Sequence, residues 1–201
     1  MRVHEKFLFW GSLLSGLTLA EAVRRKWLPP RVVMAAVAVL WAGFVLAISF
    51  LEAWVKFKAP FLSRHAAVDA GRHVFMALNA VEVGFAHTLL AILSASAATW
   101  DYWTLPSLLG GITLLQFLYL TPALDLRAQG VIAAEADPQH LKDSQVRHLS
   151  HVRANVAAES TPPAFLHGVY VCAELAKLFI LGAFAVQLCR PVLDAVSIPL
   201  Q

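Results

Sequence analysis

Long apolar stretches separated by short polar connections predict four membrane-spanning helices. The predicted spans cover residues 32–55, 73–98, 102–124 and 164–188. Each is long enough for an α-helix to cross the hydrocarbon core of a bilayer, which takes about 20 predominantly apolar residues. The pattern therefore predicts an all-α integral membrane protein, a four-helix transmembrane bundle over residues 28–190 with a C-terminal tail at 191–201.

The N-terminal segment, residues 1–27, is harder to interpret. Its apolar run at 7–20 is short for a span and resembles the core of a signal peptide, and residues 20–22 resemble a cleavage site. Three basic residues at 24–26 follow at once, and positive charge there hinders translocation. We expect a retained short or interfacial helix, in its simplest form a fifth span, and keep a cleaved signal peptide as the alternative.

The long connection at 125–163 predicts a helix outside the spans. After Pro138, apolar residues return at near-helical spacing among basic ones, which is typical of an amphipathic helix on a membrane surface. Lys and Arg accumulate in cytoplasmic loops, and this connection lies on the side with more positive charges. We therefore expect the loop 125–163 to be cytoplasmic.

Composition supports the membrane interpretation. The chain is 59% hydrophobic and 14% charged, with a mean hydropathy of +0.65. A soluble domain carries about 25% charged residues. The formal net charge of +3 is small and dispersed, so no nucleic-acid partner is predicted. The expected partners are the lipid bilayer and either a second copy of the chain or a larger membrane complex.

Polar residues inside the predicted spans are the strongest functional clue. A charged group at mid-membrane costs about 2.5–3.5 kcal/mol on insertion scales, so such groups usually face a protein interior or a pathway. Residues three or four apart share a helix face, which places the polar residues of the second and fourth spans on one stripe each. The candidate intramembrane polar site consists of Glu52, Asn79, Glu82, His167, Tyr170, Glu174 and Lys177.

These residues also allow purely structural interpretations. Glu174 and Lys177 lie three residues apart and can neutralise each other, or Lys177 can pair with Glu82. Glu52 and Lys56 have the i, i+4 spacing of an interfacial ion pair, with the lysine reaching towards headgroups. The sequence leaves open whether the polar site binds a ligand or only locks helices together.

Sequence motifs for specific chemistry are missing. The chain has no Gly-rich phosphate loop, nucleophile elbow or HExxH pattern, and no Glu-x-x-His pairs for a di-iron bundle. These observations disfavour an enzyme without excluding one, and they predict no catalytic or metal-binding residues. The cofactor content stays unknown.

Three short motifs carry a family resemblance: the stretch 52–84, Leu120-Thr121-Pro122 and Phe165-Leu166-His167-Gly168. In that order they resemble the first connection, the proline-bearing helix end and the entrance to the last helix of the transmembrane protein 205-like family, whose biochemistry is poorly defined. The resemblance covers roughly residues 41–188. It implies a four-helix membrane domain connected with transport or trafficking, and it singles out His167 and Gly168. The carboxylates of the interior and the N-terminal helix depart from the family pattern.

Three functions are therefore compatible with the sequence. We expect a small transporter or a protein that binds a solute, cation or proton in the polar half of the bundle, because carboxylate and histidine chains form proton relays in membranes. One alternative is a non-catalytic accessory subunit of a larger membrane complex. The other is a membrane enzyme or redox protein that binds haem, metal or quinone.

Overall fold

A computed structural model describes residues 3–96 and 99–196, which form six helices and a short 3-10 turn without any strand. The helices are α1 (Val3–Arg24), α2 (Pro30–Lys58), α3 (Arg64–Ala95), α4 (Trp100–Glu135), α5 (Asp143–Ala158) and α6 (Phe165–Val196). By length and composition, four of them are able to cross a membrane: α2, α3, α4 and α6. The predicted all-α class and the number of long apolar helices are thus confirmed.

The helices are longer than the spans predicted from hydropathy. Helix α4 continues to Glu135, so the first part of the predicted loop 125–163 is helical, and α5 forms within its second half. Helix α6 runs through Val196 into the predicted tail, of which residues 197–201 lie outside the described part. The backbone hydrogen bonds of an α-helix are internal, so a helix can continue through polar residues beyond an apolar layer. Hydropathy detects only the apolar middle of such a helix.

Local sequence explains where the helices begin and end. Pro30 occupies the first turn of α2, where a proline loses no intrahelical hydrogen bond. Lys26 has a φ of 60° just beyond the end of α1, the left-handed conformation that commonly ends a helix. Helix α6 begins two residues after Pro163, which cannot extend a preceding helix.

Helix α3 is the centre of the bundle. In its apolar window 56% of the residues are buried, against 28–33% in the other three long helices. Helices α1, α2 and α4 pack on it, and α6 packs against α2 and α4. The outward faces of the surrounding helices carry large exposed apolar side chains, among them Trp10, Leu40, Leu118 and Phe179. Such an exterior matches hydrocarbon better than water.

Helix α1 lies in close contact with α3 along a seam of small residues. A β-carbon at Gly84 would collide with the Ser12 side chain and lie 3.2 Å from the Ser12 carbonyl carbon. A β-carbon at Gly16 would meet the Thr88 hydroxyl and lie 3.3 Å from the Thr88 Cα. Each helix thus contributes two small residues four positions apart, the spacing that lets helices in membranes approach closely.

The packed interior has two unlike halves. From the level of Trp41 to the ends of the helices near Arg24 and Ser96, α1, α2, α3, α4 and α6 share one hydrophobic core. The other half contains polar side chains and a cleft. A second small core of Ile132, Ala136, Leu149 and Val152 holds α5 against α4. The Arg153 guanidinium reinforces this contact by donating to the Ala133 and Ala136 carbonyls, both at 3.2 Å.

Candidate functional site: a buried charged cluster beneath a basic cleft

Two carboxylates share one lysine at the centre of the molecule. The Lys177 Nζ lies 2.5 Å from Oε1 of Glu82 and 2.9 Å from Oε1 of Glu174. The exposed fractions of the three side chains are 0% for Lys177, 0% for Glu82 and 1% for Glu174. We call Glu82, Glu174 and Lys177 the charged cluster. Both ion pairs considered in the sequence analysis are therefore present.

Uncharged side chains from α2 and α4 complete the coordination of the carboxylates. The Trp41 indole Nε1 donates to Oε1 of Glu82 at 2.8 Å. Gln116 Nε2 donates to Oε1 of Glu174 at 2.7 Å, and the Ser49 hydroxyl donates to its Oε2 at 3.1 Å. Helices α3 and α6 thus supply the charged cluster, and α2 and α4 supply hydrogen-bond donors to it.

The two uncharged side chains that donate to Glu174 both lie in π-helical segments. Ser49 is within Leu46–Glu52 of α2, and Gln116 begins Gln116–Leu120 of α4. A π-helical turn inserts a residue and rotates the helix face that follows, and such turns are frequent at functional sites. The two π-helical segments therefore aim polar side chains of α2 and α4 at the same carboxylate.

A second polar contact lies one turn from the cluster. Asn79 Nδ2 donates to the Tyr170 hydroxyl oxygen at 2.8 Å and to the Phe75 carbonyl at 3.0 Å. The Phe75 and Tyr170 rings meet edge to face, 5.6 Å between centroids. Asn79 is fully buried and Tyr170 is 3% exposed. This contact links α3 to α6 on the side of the cluster that faces the cleft.

The cluster contains more acceptors and negative charge than its partners satisfy. With both carboxylates ionised and the lysine protonated, it has one excess negative charge. Among the described residues, no protein donor reaches three buried acceptor oxygens around it, Asn79 Oδ1, Glu82 Oε2 and Gln116 Oε1. An uncompensated charge in a buried site costs several kcal/mol. The arrangement therefore favours an additional proton or cation.

A cleft of about 390 Å³ leads from the charged end of the helices down to the cluster. Ser49, Tyr170 and Glu174 form its floor, and the exposed Arg64 and His167 lie at its mouth. Its walls come from α2, α3, α4 and α6. Glu174 is thus the one member of the charged cluster that lines the cleft, so it is the member that a proton entering from the cleft reaches first.

Most basic side chains of the cleft have carboxylate partners. Lys56 binds Glu52 at 3.1 Å, and Arg64 binds Glu135. Arg72 binds Asp69 at 2.7 Å and Asp125 at 3.0 Å, with His148 Nε2 3.3 Å from its guanidinium. Arg127 differs, since within the described chain it donates to the Pro162 carbonyl at 3.0 Å and has no carboxylate partner.

The candidate residues from the sequence are only partly brought together. Asn79, Glu82, Tyr170, Glu174 and Lys177 form one buried polar region. Glu52 lies outside it and pairs with Lys56, as their spacing predicts, but the Lys56 side chain is only 10% exposed and lines the cleft instead of reaching outwards to headgroups. His167 is exposed and lines the cleft mouth instead of contacting the cluster.

Sequence reasoning missed several members of the site. Trp41 and Ser49 stand in an uncharged apolar run and carry no pattern that separates them from core or lipid-facing residues. Gln116 gave a usable signal, because a lone amide in an uncharged span needs a buried partner. Arg127 lies in the connection 125–163, whose positive charges predict orientation only, yet it lines the cleft.

Two further observations concern the identity of the site. Among the described residues, no group of three or more His, Cys, Asp and Glu side chains is arranged to hold a metal ion. The chain matches no family model, no curated protein and no solved structure with which it was compared. The resemblance to the transmembrane protein 205-like family therefore stays a prediction, and the function has to be inferred from the site itself.

Proposed function

We propose that this protein is a small integral membrane transporter or solute-binding protein whose charged cluster takes up and releases a proton. The observation that carries the proposal is the unequal charge of the cluster, two buried carboxylates against one buried lysine. A carboxylate proton removes the excess charge at the place where it arises. Proton relays in membrane proteins use buried carboxylates in this way.

The chemistry of the cluster favours a proton over a metal cation. The Lys177 ammonium lies between both carboxylates and already contacts each of them. A second cation placed there would be repelled by the ammonium, while a proton forms a bond to a carboxylate oxygen and needs little space. Glu82 Oε2 is the natural proton acceptor in the interior, because it is buried and has no donor among the described residues.

Access from one side supports a transport role. The cleft reaches Glu174, whereas the next turns of α3 and α6 beyond the cluster are filled by core residues such as Leu89, Leu181 and Phe184. Transporters alternate the access of a central site between the two sides of the membrane. The arrangement corresponds to a state open towards the end of the bundle that carries the connection 125–163, the end expected to be cytoplasmic.

Counting protons tests this proposal. Purified protein in weakly buffered detergent solution receives an alkaline step, and a pH-sensitive dye measures the protons released. We expect wild-type protein to release an additional proton relative to Glu82→Gln and Glu174→Gln, because either substitution leaves one carboxylate and one lysine. Glu52→Gln is the matched control, since Glu52 also pairs with a lysine but lies outside the cluster.

The alternatives make a different prediction for the same measurement. If the cluster is a permanent lock between helices, as in an accessory subunit, its charges do not titrate while the protein is folded. Equal proton release by wild-type protein and by both cluster variants, all folded, would contradict the proposal.

A further inference from the structure

The cleft above the charged cluster combines basic and apolar side chains. Lys56, Arg64, Arg72 and Arg127 line it from α2, α3 and α4. Its apolar lining consists of Phe50, Phe57, Val68, Phe75, Leu124 and Val131. Asp125 and Glu174 also line it. Lys56, Arg64 and Arg72 are each neutralised by a carboxylate of the protein, so within the described residues Arg127 is the cation of the cleft that an anionic ligand can approach without displacing such a partner.

Arg127 is the cation best placed to receive an anionic group. The other three basic side chains of the cleft each bind a carboxylate of the protein. Arg127 donates from Nη1 to the Pro162 carbonyl, and a guanidinium has five N–H donors, so most of its donors stay available. A guanidinium can bind a carboxylate or a phosphate through two parallel hydrogen bonds.

His167 adds a second donor group at the same opening. It is exposed on the first turn of α6 and lines the cleft together with Arg127. An imidazole N–H can donate to an anionic oxygen in both of its protonation states. The connection between α5 and α6 brings the two residues into one cleft, since the Pro162 carbonyl that Arg127 binds lies just before α6.

The size of the cleft suits a small amphipathic molecule. Its volume of about 390 Å³ falls in the range of small-molecule pockets, about 300–1,000 Å³, which are mostly apolar with a few fixed polar groups. The aromatic side chains Phe50, Phe57 and Phe75 offer contact area for an apolar chain. A charged head then remains near the mouth, away from the Glu174 carboxylate on the floor.

We infer that the cleft binds an organic anion with an apolar tail, held at its head by Arg127 and His167. This inference rests on the proposed function and names the substrate class of the same site. The anionic head belongs either to a soluble medium-chain acid or to a membrane lipid. A proton on the cluster below would compensate part of the ligand's charge during passage through the apolar half of the bundle.

Radiolabelled decanoate provides a direct binding test. The full chain is placed in nanodiscs of neutral phosphatidylcholine, and bound label is measured by scintillation proximity against empty nanodiscs. Unlabelled decanoate and decyl phosphate should displace the label, whereas decanol and decyltrimethylammonium should not. Displacement by nanodiscs that contain phosphatidylglycerol would support the same chemistry and identify a membrane lipid as the source of the anion.

Substitutions locate the binding site. Arg127→Gln should weaken decanoate binding at least about tenfold, the effect of losing charge-assisted hydrogen bonds. His167→Ala, at an exposed position that does not threaten folding, should weaken it by about threefold. The matched control is Arg147→Gln, which removes an exposed positive charge from α5 without touching the cleft. Equal binding by wild-type protein and both cleft variants would overturn the inference, as would binding no greater than that of empty nanodiscs.

The outcome separates this inference from the proposed function. Release of the additional cluster proton without any decanoate binding overturns only the anion inference. Decanoate binding that depends on Arg127, without a titrating cluster, supports the anion inference and overturns the proton proposal.

Discussion

Lys177 has two carboxylate partners that are as deeply buried as it is itself. A surface lysine loses little when its partner is removed, because water solvates the remaining charge. In the charged cluster no such solvation is available, and the three charges depend on one another. The effect of a substitution is therefore set by the charge that it leaves behind more than by the contact that it removes.

This dependence predicts unequal effects for two substitutions in the cluster. Lys177→Met leaves the ionised carboxylate of the cluster without a counter-charge, and we expect the free energy of unfolding to fall by about 3–5 kcal/mol, as for other broken buried ion pairs. Glu82→Gln leaves the balanced pair of Glu174 and Lys177 and should cost only about 1 kcal/mol, the scale of one altered hydrogen bond. Equilibrium unfolding in mixed micelles measures both, and equal effects would contradict the charge account.

At the residue scale, the sequence predicts the charged members of the site well. Glu82, Glu174 and Lys177 are conspicuous because charged groups in apolar stretches need buried partners. The partners Trp41 and Ser49 are not predictable, since nothing in their uncharged apolar run separates a packed side chain from one that faces lipid. The π-helical turn that orients Ser49 leaves no recognisable mark in the sequence.

At the element scale, the closest helix–helix approach of the fold joins α1 to the central helix α3. Gly84 and Thr88 of α3 lie directly against Ser12 and Gly16 of α1. Removal of α1 as a signal peptide would expose this seam and the central helix behind it. Hydropathy alone leaves α1 outside the four candidate spans among the described residues, and its retention stays a prediction.

Two glycine substitutions, one in the seam and one outside it, should change the free energy of unfolding in opposite directions. Gly84→Ala places a methyl group against the Ser12 side chain and backbone, and we expect a loss of about 1–3 kcal/mol in unfolding free energy, typical of overpacking. Gly43→Ala in α2 meets nothing within 4 Å and should stabilise by up to about 1 kcal/mol through helix propensity. Thermal unfolding in detergent compares them. Equal stabilities would argue against a close α1–α3 contact, and Ser12→Gly should rescue the first variant.

At the scale of the whole molecule, the fold separates a half with a hydrophobic core from a half with a polar interior. The hydrophobic core closes one end of the bundle, and the cleft opens the other as far as Glu174. The sequence predicts this division in outline, because helical spacing and depth place the polar stripes in one half of the membrane. The cleft itself is not predictable, since it results from side chains of four helices whose relative rotation depends on packing.

The central claim is that one carboxyl group of the charged cluster is protonated at neutral pH while Lys177 keeps its positive charge. Infrared difference spectroscopy measures this directly, because a protonated carboxylic acid has a carbonyl stretch distinct from that of a carboxylate. We predict such a band in wild-type protein at neutral pH, lost when the pH is raised. It should be missing in Glu82→Gln and in Glu174→Gln, and unchanged in Glu52→Gln. No carboxylic-acid band in folded wild-type protein, or a band that persists in both cluster variants, would contradict the account.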